Sequence, residues 1–516
     1  MKSIYKISKG IVVALTSILF VTSCSEDIMD DINKDINHPS DTEAKFILAE
    51  VLIHTAFPNV GGDFNTYTAT YVEHEVGVHN QLYRAEHRQN EPSASSTFNN
   101  AWESIYETLR NAKIIVEKCS EDGSQYEDLI LKGIGEVMLA YNLALTTDMY
   151  GDTPWSEACD YLKNRTPKID KQEDIYKEIM TLLDNAIVDL QGSNKSSIGS
   201  HDFMYNGNAA KWTKFAYGLK ARYTMRQMKR SGNVSADMEK VVEYANKSFA
   251  SPAEQAAIAI YDATNLNPLF DFQWSRDALA SSESLADKLI ERNDPRLRRV
   301  FVNADWEQIT GDDDESWNPA PNGESGEMQY VYNTSAFVYS QTAPTLFLSY
   351  HEVQFLKAEA LCRLGKTDDA ETVLKNAIIA AIANMEVNVD AAMNAPTILA
   401  YGGLSETAEA VTDEEAGEYF ENSVKPLFTT NPLKETMNQK YLAFFGASGE
   451  STECYNDIRR MKALGEDFIV LKNKNKFPLR CPYGNSDTTN NPNVKDAYGD
   501  GQYVYTEPVW WAGGTR

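Results

Sequence analysis

Two stretches of helical period meet at a single glycine in residues 346–382. Leu346, Tyr350, Val353, Leu356, Ala360 and Leu364 recur every three or four residues; beyond Gly365 the period resumes at Ala370, Val373, Leu374, Ala377, Ile378 and Ala381. The pattern predicts a helical hairpin. Alanines 358, 360, 370 and 377 provide the close approach, and Leu364-Gly365 marks the turn, as in a tetratricopeptide unit. A lone hairpin buries one face only, so the pattern also predicts neighbours.

Similar stripes lie on either side. Residues 44–57 have helical period, with Thr42 as the expected cap and Pro58 as the expected stop. Trp102, Ile105, Tyr106, Leu109, Ala112 and Val116 form one stripe, and Leu129, Gly133, Val137, Ala140, Tyr141 and Ala144 the next. Gly133 and Gly135 weaken that helix but allow a neighbouring backbone to come close. Ile175 to Leu190 and Trp212 to Tyr223 make a second pair, and residues 433–445 and 451–464 a last one. We therefore expect hairpins over about 97–149, 171–230, 346–385 and 432–464.

Two regions break the period. Residues 58–96 alternate aromatic and polar side chains without a sustained helical face, which predicts a long loop with some helix or strand. Residues 251–343 collect Pro, Gly, Asp and aromatics around short pieces such as 284–292, an insertion long enough to carry function. The tail, 465–516, is rich in Asn, Pro and Tyr and ends near Val509-Trp510-Trp511, as expected of a segment wrapped over the body. The fold class predicted is mainly α, with about four tetratricopeptide-like hairpins packed against an irregular, loop-rich domain.

Charge and composition narrow the function. The chain has 516 residues and a formal charge of −27; without the first 23, which hold Lys2, Lys6 and Lys9 and no acid, 45 basic residues face 75 acidic ones. Such a balance argues against nucleic acid, whose binding depends on Lys and Arg neutralising phosphates. Tyr (27) and Trp (8) are plentiful beside 7 His, a bias toward stacking rather than metal ligation.

The amino terminus predicts export. Three lysines precede an apolar run, 11–21, too short to span a bilayer, and Val-Thr-Ser leads into Cys24. That form resembles a bacterial lipobox, with signal 1–23, lipidated Cys24 and a polar tether, 24–41, ahead of the body, 42–516. Ser25-Glu26-Asp27 resembles the acidic signal that carries Bacteroidetes lipoproteins to the outer face of the outer membrane. No second segment reads as a membrane span. The other five cysteines are widely spaced and odd in number, so buried thiols are expected at Cys119, Cys362 and Cys454.

Catalytic motifs do not emerge. His74 and His79 lie five apart, one too many to share a helix face as zinc-protease ligands. There is no G-x-S-x-G, P-loop or dinucleotide fingerprint, and so no implied cofactor. Carboxylate pairs are too numerous to single out a glycosidase. Asp312-Asp313-Asp314-Glu315 lacks EF-hand spacing and reads as a solvated loop, so no metal site is assigned. What remains is aromatic and polar. Sugars present apolar C–H faces ringed by hydroxyls, which suit Trp or Tyr faces rimmed by amides and guanidinium groups. The candidates are Asn80, Tyr83 and Arg84, with Tyr67 and Tyr71, in the first irregular region, and Trp274, Arg276, Trp306, Trp317 and Tyr332, with Tyr330, in the second.

Several stretches together resemble one family. Asn37-His38-Pro39, Trp102-Glu-Ser-Ile-Tyr106 with Leu109 and Asn111-Ala112, and Tyr150-Gly151-Asp152-Thr153-Pro154 come first. Trp212-Thr-Lys-Phe215, Asn293-Asp294-Pro295-Arg296-Leu297, Tyr350-His-Glu352, Gln439-Lys440-Tyr441 and Asp457-Ile-Arg459-Arg460 follow in order. Over most of its length the chain resembles the SusD/RagB nutrient-binding outer-membrane lipoproteins of Bacteroidetes, in the SusD-like group 2 branch. The resemblance implies a non-catalytic lid on a TonB-dependent, SusC-like transporter, delivering an oligosaccharide or, in some branches, a peptide. A surface scaffold without its own ligand is the alternative.

Overall fold

The computed structural model describes residues 42–89, 98–160, 162–499 and 501–516. The signal segment, Cys24, the tether and Asn37-His38-Pro39 lie outside the described residues.

The first helix, α1 (Ala44–His54), follows Glu43; Thr42 does not cap it. Nor does Pro58 end it: the chain runs on as a π-helical turn, Thr55–Val60, that contains Pro58. The wider turn is pinned from the side, because Asn59 Nδ2 donates to Thr108 Oγ1 (3.0 Å) and to Asn142 Oδ1 (3.2 Å). The region expected to be loop is then largely helix, with α2 (Asp63–Tyr71), strand β1 (Glu75–Gly77) and α3 (Asn80–Glu86). Every residue from Phe64 to Tyr71 is buried, so α2 has no wet face and no amphipathic stripe to betray it. Its threonines turn inward on carbonyls one turn back, as Thr68 Oγ1 does to Phe64 O at 2.6 Å. Tyr67 and Tyr71 thus belong to the core.

The platform follows as α4 (Asn99–Cys119), α5 (Leu129–Tyr150), α6 (Gln172–Asp189), α7 (Ala209–Arg226) and α8 (Val234–Lys247), each packed on its predecessor. By length and apolarity α5 would suit a membrane, contrary to the sequence reading, but it is buried among its neighbours. A Cβ on Gly133 would stand 3.1 Å from both Ala186 O and Leu190 N, and one on Gly135 2.7 Å from Ile115 Cγ2. Gly133 thus lets α6, and Gly135 lets α4, pack close against α5. Sequence analysis overlooked α8, whose stripe is only Met238, Val241 and Ala245.

Between α8 and the next platform helix the chain makes its long excursion. It leaves through β2 (Ala256–Ile258) and forms α9 (Pro268–Arg276), β3 (Leu279–Ser281) and α10 (Glu283–Glu291). A small sheet follows, β4 (Phe301–Val302) between β5 (Gln308–Ile309) and β6 (Thr334–Ser335), before the return through β7 (Thr345–Leu348). β2 and β7 pair antiparallel, Ala256 opposite Leu348 and Ile258 opposite Thr345. Leu346 is therefore in a strand, not in the helix its spacing suggested. β3 pairs with β1, joining the two irregular regions.

Ser349 caps α11 (Tyr350–Arg363), its hydroxyl accepting from Glu352 N at 3.0 Å, and Gly365 takes the positive φ of +71° that ends it. α11 packs on α8 behind it and on α12 (Thr367–Met393) ahead, which runs well beyond residue 382. The last expected pair, α13 (Pro432–Ala443) and α14 (Ser451–Leu464), is joined by an ion pair between Lys440 and Asp457 at 2.6 Å, while α13 also packs on α11 and α14 on α2.

The tail packs over this body. Trp511 is fully buried, its ring under the guanidinium groups of Arg459 (4.9 Å) and Arg226 (5.3 Å). Trp102 Nε1 donates to Asp487 Oδ2 at 2.8 Å. Cys119, Cys159, Cys362, Cys454 and Cys481 are all free thiols, and Cys362 is only half-buried.

Candidate functional site

Helix α9 separates two cavities. Asn267 starts it, its Oδ1 accepting from Leu269 N at 2.9 Å while its Nδ2 donates to Ala343 O (2.8 Å) and Ala447 O (3.1 Å). At the other end Gln273 accepts from Ala278 N (3.1 Å) and Leu279 N (3.0 Å) and donates to Asp277 Oδ1 (3.0 Å). These bonds fix the helix axis and, with Asp277 at a φ of +47°, turn the chain into β3. Helical period then sends Gln273, Trp274 and Asp277 to one side and Pro268, Asp271, Phe272 and Arg276 to the other.

The first side is an aromatic cavity of about 310 Å³. Trp274 stacks on the buried Phe270 one turn earlier, with centroids 5.8 Å apart and planes 8° apart, yet remains 42% exposed. Tyr401, 71% exposed, meets its ring at 5.6 Å. Across the cavity the Trp306 ring lies 5.8 Å from Tyr339, on a turn where Asn303 Oδ1 accepts from Asp305 N (2.9 Å) and Glu307 N (3.0 Å). Tyr330, Tyr332, Asn303 and Thr334 complete the rim. Burial raises the Asp277 carboxyl above its ordinary range, opposed by the hydrogen bond from the Tyr330 hydroxyl. Flat rings with amide, hydroxyl and carboxyl groups around them can cover an apolar face and bond to its edge.

The second side is a polar cleft of about 520 Å³, lined by Asp63, Arg84, Asn99, Asn100, Asp271 and Arg276, with Phe57, Phe272 and Pro268 as apolar wall. Asp63 begins α2; burial pushes its carboxyl up to about 6, against the pull of the Arg276 guanidinium.

Among the candidates, Trp274, Trp306, Tyr330 and Tyr332 line the aromatic cavity, and Arg84, Arg276 and the largely buried Tyr67 the polar cleft. Asn80 accepts from Arg84 Nη2 at 3.3 Å. Tyr83 lies outside both, its ring 4.4 Å from His87, and so does Trp317, edge-on to Phe301 at 5.3 Å. Sequence reasoning missed Tyr401, Tyr339, Asp277 and Asp63. Only Tyr401 had a local signal, an aromatic beside Gly402-Gly403. The His74-Glu75 pair is structural: His74 Nε2 lies 3.0 Å from Tyr441 O and Nδ1 3.0 Å from Ser451 Oγ. Among the described residues, no cluster of His, Cys, Asp or Glu is arranged to hold a metal.

Comparison with known proteins places this architecture. No curated protein matches the sequence. A SusD/RagB family protein from Bacteroides thetaiotaomicron superposes with a TM-score of 0.88 at 52% identity, over 92% of this chain and 100% of that one. A chitin-binding protein (TM-score 0.67, 21% identity, 91% and 100% covered) and a SusD homologue from Bacteroides fragilis (0.69, 19%, 91% and 99%) share the fold. The family model described as "Starch-binding associating with outer membrane" matches residues 36–483. The chain therefore belongs to the SusD-like family.

Proposed function

We propose that this protein binds an oligosaccharide at the cell surface and passes it, without cleaving it, to a SusC-like TonB-dependent transporter in the outer membrane. Cys24 carries the lipid, and the body faces the cell exterior. The observation that carries the reading is the set of exposed aromatic faces at Trp274 and Tyr330 around one cavity with a polar rim, with Tyr401 against the Trp274 ring beside it. Exposed rings gathered in one place, unlike singly scattered ones, mark a surface that contacts a ligand or partner. The platform of α4 to α8 and α11 to α13 supplies the surface for the transporter.

The test is calorimetric titration of soluble chain from Ser25 onward with neutral and acidic oligosaccharides and with peptides, followed by a reducing-end assay of any ligand that binds. Oligosaccharide binding without new reducing ends is the expected result. Turnover, or binding of peptides alone, overturns it.

A further inference from the structure

At least nine of the seventeen arginines of this acidic protein pair with carboxylates. Arg460 pairs with Glu359 at 2.6 Å, Arg296 with Asp294 at 2.5 Å and Arg299 with Glu386 at 3.0 Å. With 75 acidic residues against 48 basic ones carboxylate partners are plentiful, yet some arginines have no ion pair among the described residues. Two such arginines line the polar cleft. Arg84 spends one contact on the Asn80 amide oxygen, 3.3 Å away, and Arg276 one on Ser275 Oγ, at 3.0 Å. Both partners are neutral. Arg276 also lies over the Phe272 ring, 5.4 Å from its centre, which steadies the side chain without discharging it. Neither guanidinium makes an ion pair among the described residues, although two carboxylates, Asp63 and Asp271, share the cleft and Asp63 feels the Arg276 charge.

A guanidinium offers five N–H donors in a planar fork. Two forks with most donors unspent, in one cleft, match an anionic group and are poorly used by neutral hydroxyls alone. The rest of the lining suits a sugar ring: Asn99, Asn100 and Gln81 present amides, and Phe57 and Pro268 present apolar surface. The aromatic cavity lies across α9, a helix about 10 Å thick, so one chain of sugar units can contact both faces.

We propose that the polar cleft selects an acidic glycan, with Arg84 and Arg276 holding the anionic group of one sugar while neighbouring units stack at Trp274 and Trp306. The proposal rests on the oligosaccharide reading and names the charge class of its ligand.

Titration of soluble protein with galacturonate oligosaccharides, sulfated chondroitin oligosaccharides, neutral maltooligosaccharides and a peptide pool tests it. Arg84→Gln and Arg276→Gln are each expected to weaken the acidic ligand about tenfold or more, leaving the melting temperature unchanged because both side chains are exposed. Arg276→Lys keeps the charge and recovers part of the loss. The two acidic ligands distinguish carboxylate from sulfate as the group held. Neutral oligosaccharides binding as tightly as acidic ones, with both Gln variants silent, overturns the acidic preference and leaves the oligosaccharide reading standing. Binding of peptides only, or of no member of the panel, overturns both.

Discussion

Arg222 and Glu352 face each other as fork to fork: Nε donates to Oε1 at 2.7 Å and Nη2 to Oε2 at 2.6 Å, with both side chains buried. The same Nη2 donates to the carbonyl of Phe347 at 2.8 Å. One guanidinium thus ties α7 to α11 and to the strand that closes the long excursion. Neutralising one partner of a buried pair leaves the other charge uncompensated, a loss of about 3–5 kcal/mol. Glu352→Gln is expected to lower the urea midpoint accordingly; a change below about 1 kcal/mol means that Glu453, 3.7 Å from Arg222 Nε, takes over the pairing.

Trp274 and Trp306 are expected to matter for ligand and not for fold. Trp274→Ala and Trp306→Ala each remove a stacking face and weaken oligosaccharide binding about tenfold. Calorimetry measures the loss and thermal melting the control. Unchanged affinity in both variants moves the ligand out of the aromatic cavity.

Glu75 makes stability depend on pH. Burial raises its carboxyl to about 8 from an ordinary 4.5, against the lowering effect of the Ser335 hydroxyl that donates to it. The folded state therefore holds a proton that the unfolded state releases. The Glu75 contribution is complete below about pH 4.5 and declines as pH rises toward 8, by up to about 1.4 kcal/mol per unit. Glu75→Gln is expected to match the wild type at pH 5 and exceed it at pH 8 in urea unfolding. Parallel curves for the two proteins contradict the assignment.

Trp511 tests whether the tail is structural. Its ring is fully buried and its backbone N–H donates to Gln172 Oε1 at 3.0 Å, in α6. Trp511→Ala removes a large core side chain and is expected to cost about 3–5 kcal/mol in chemical denaturation. A variant as stable as the wild type shows that the tail merely covers the body.

Helices with one wet and one dry face were legible in the sequence. The stripes of Trp102 to Val116 and Ile175 to Leu190 became α4 and α6. Helix α2 was not legible, because a helix dry on all sides has no periodic contrast and its threonines read as loop. Leu346 kept the helical spacing of its neighbours by coincidence, since strand pairing with β2 is a long-range contact that no local period encodes. In the site, Trp274 and Trp306 stood out as aromatics in an irregular stretch. Trp317 has the same local character and packs inward on Phe301. What separates them is the turn at Asn303 and the end of α9 at Asp277, each built by side chain to backbone bonds that fix direction. Tyr401 arrives from beyond α12, outside both regions that composition had marked.

Because β2 and β7 lie side by side, everything from residue 259 to residue 344 starts and finishes at one doorway in the platform. To the helices on either side, that stretch is a closed loop whose interior can lengthen or change composition while its two posts stay in register; each doubling of a loop costs only about 0.6 kcal/mol. The residues of α9 that line the two cavities can therefore change one turn or one aromatic at a time while the platform helices on either side keep their packing. What can vary is thereby separated from what must stay in register.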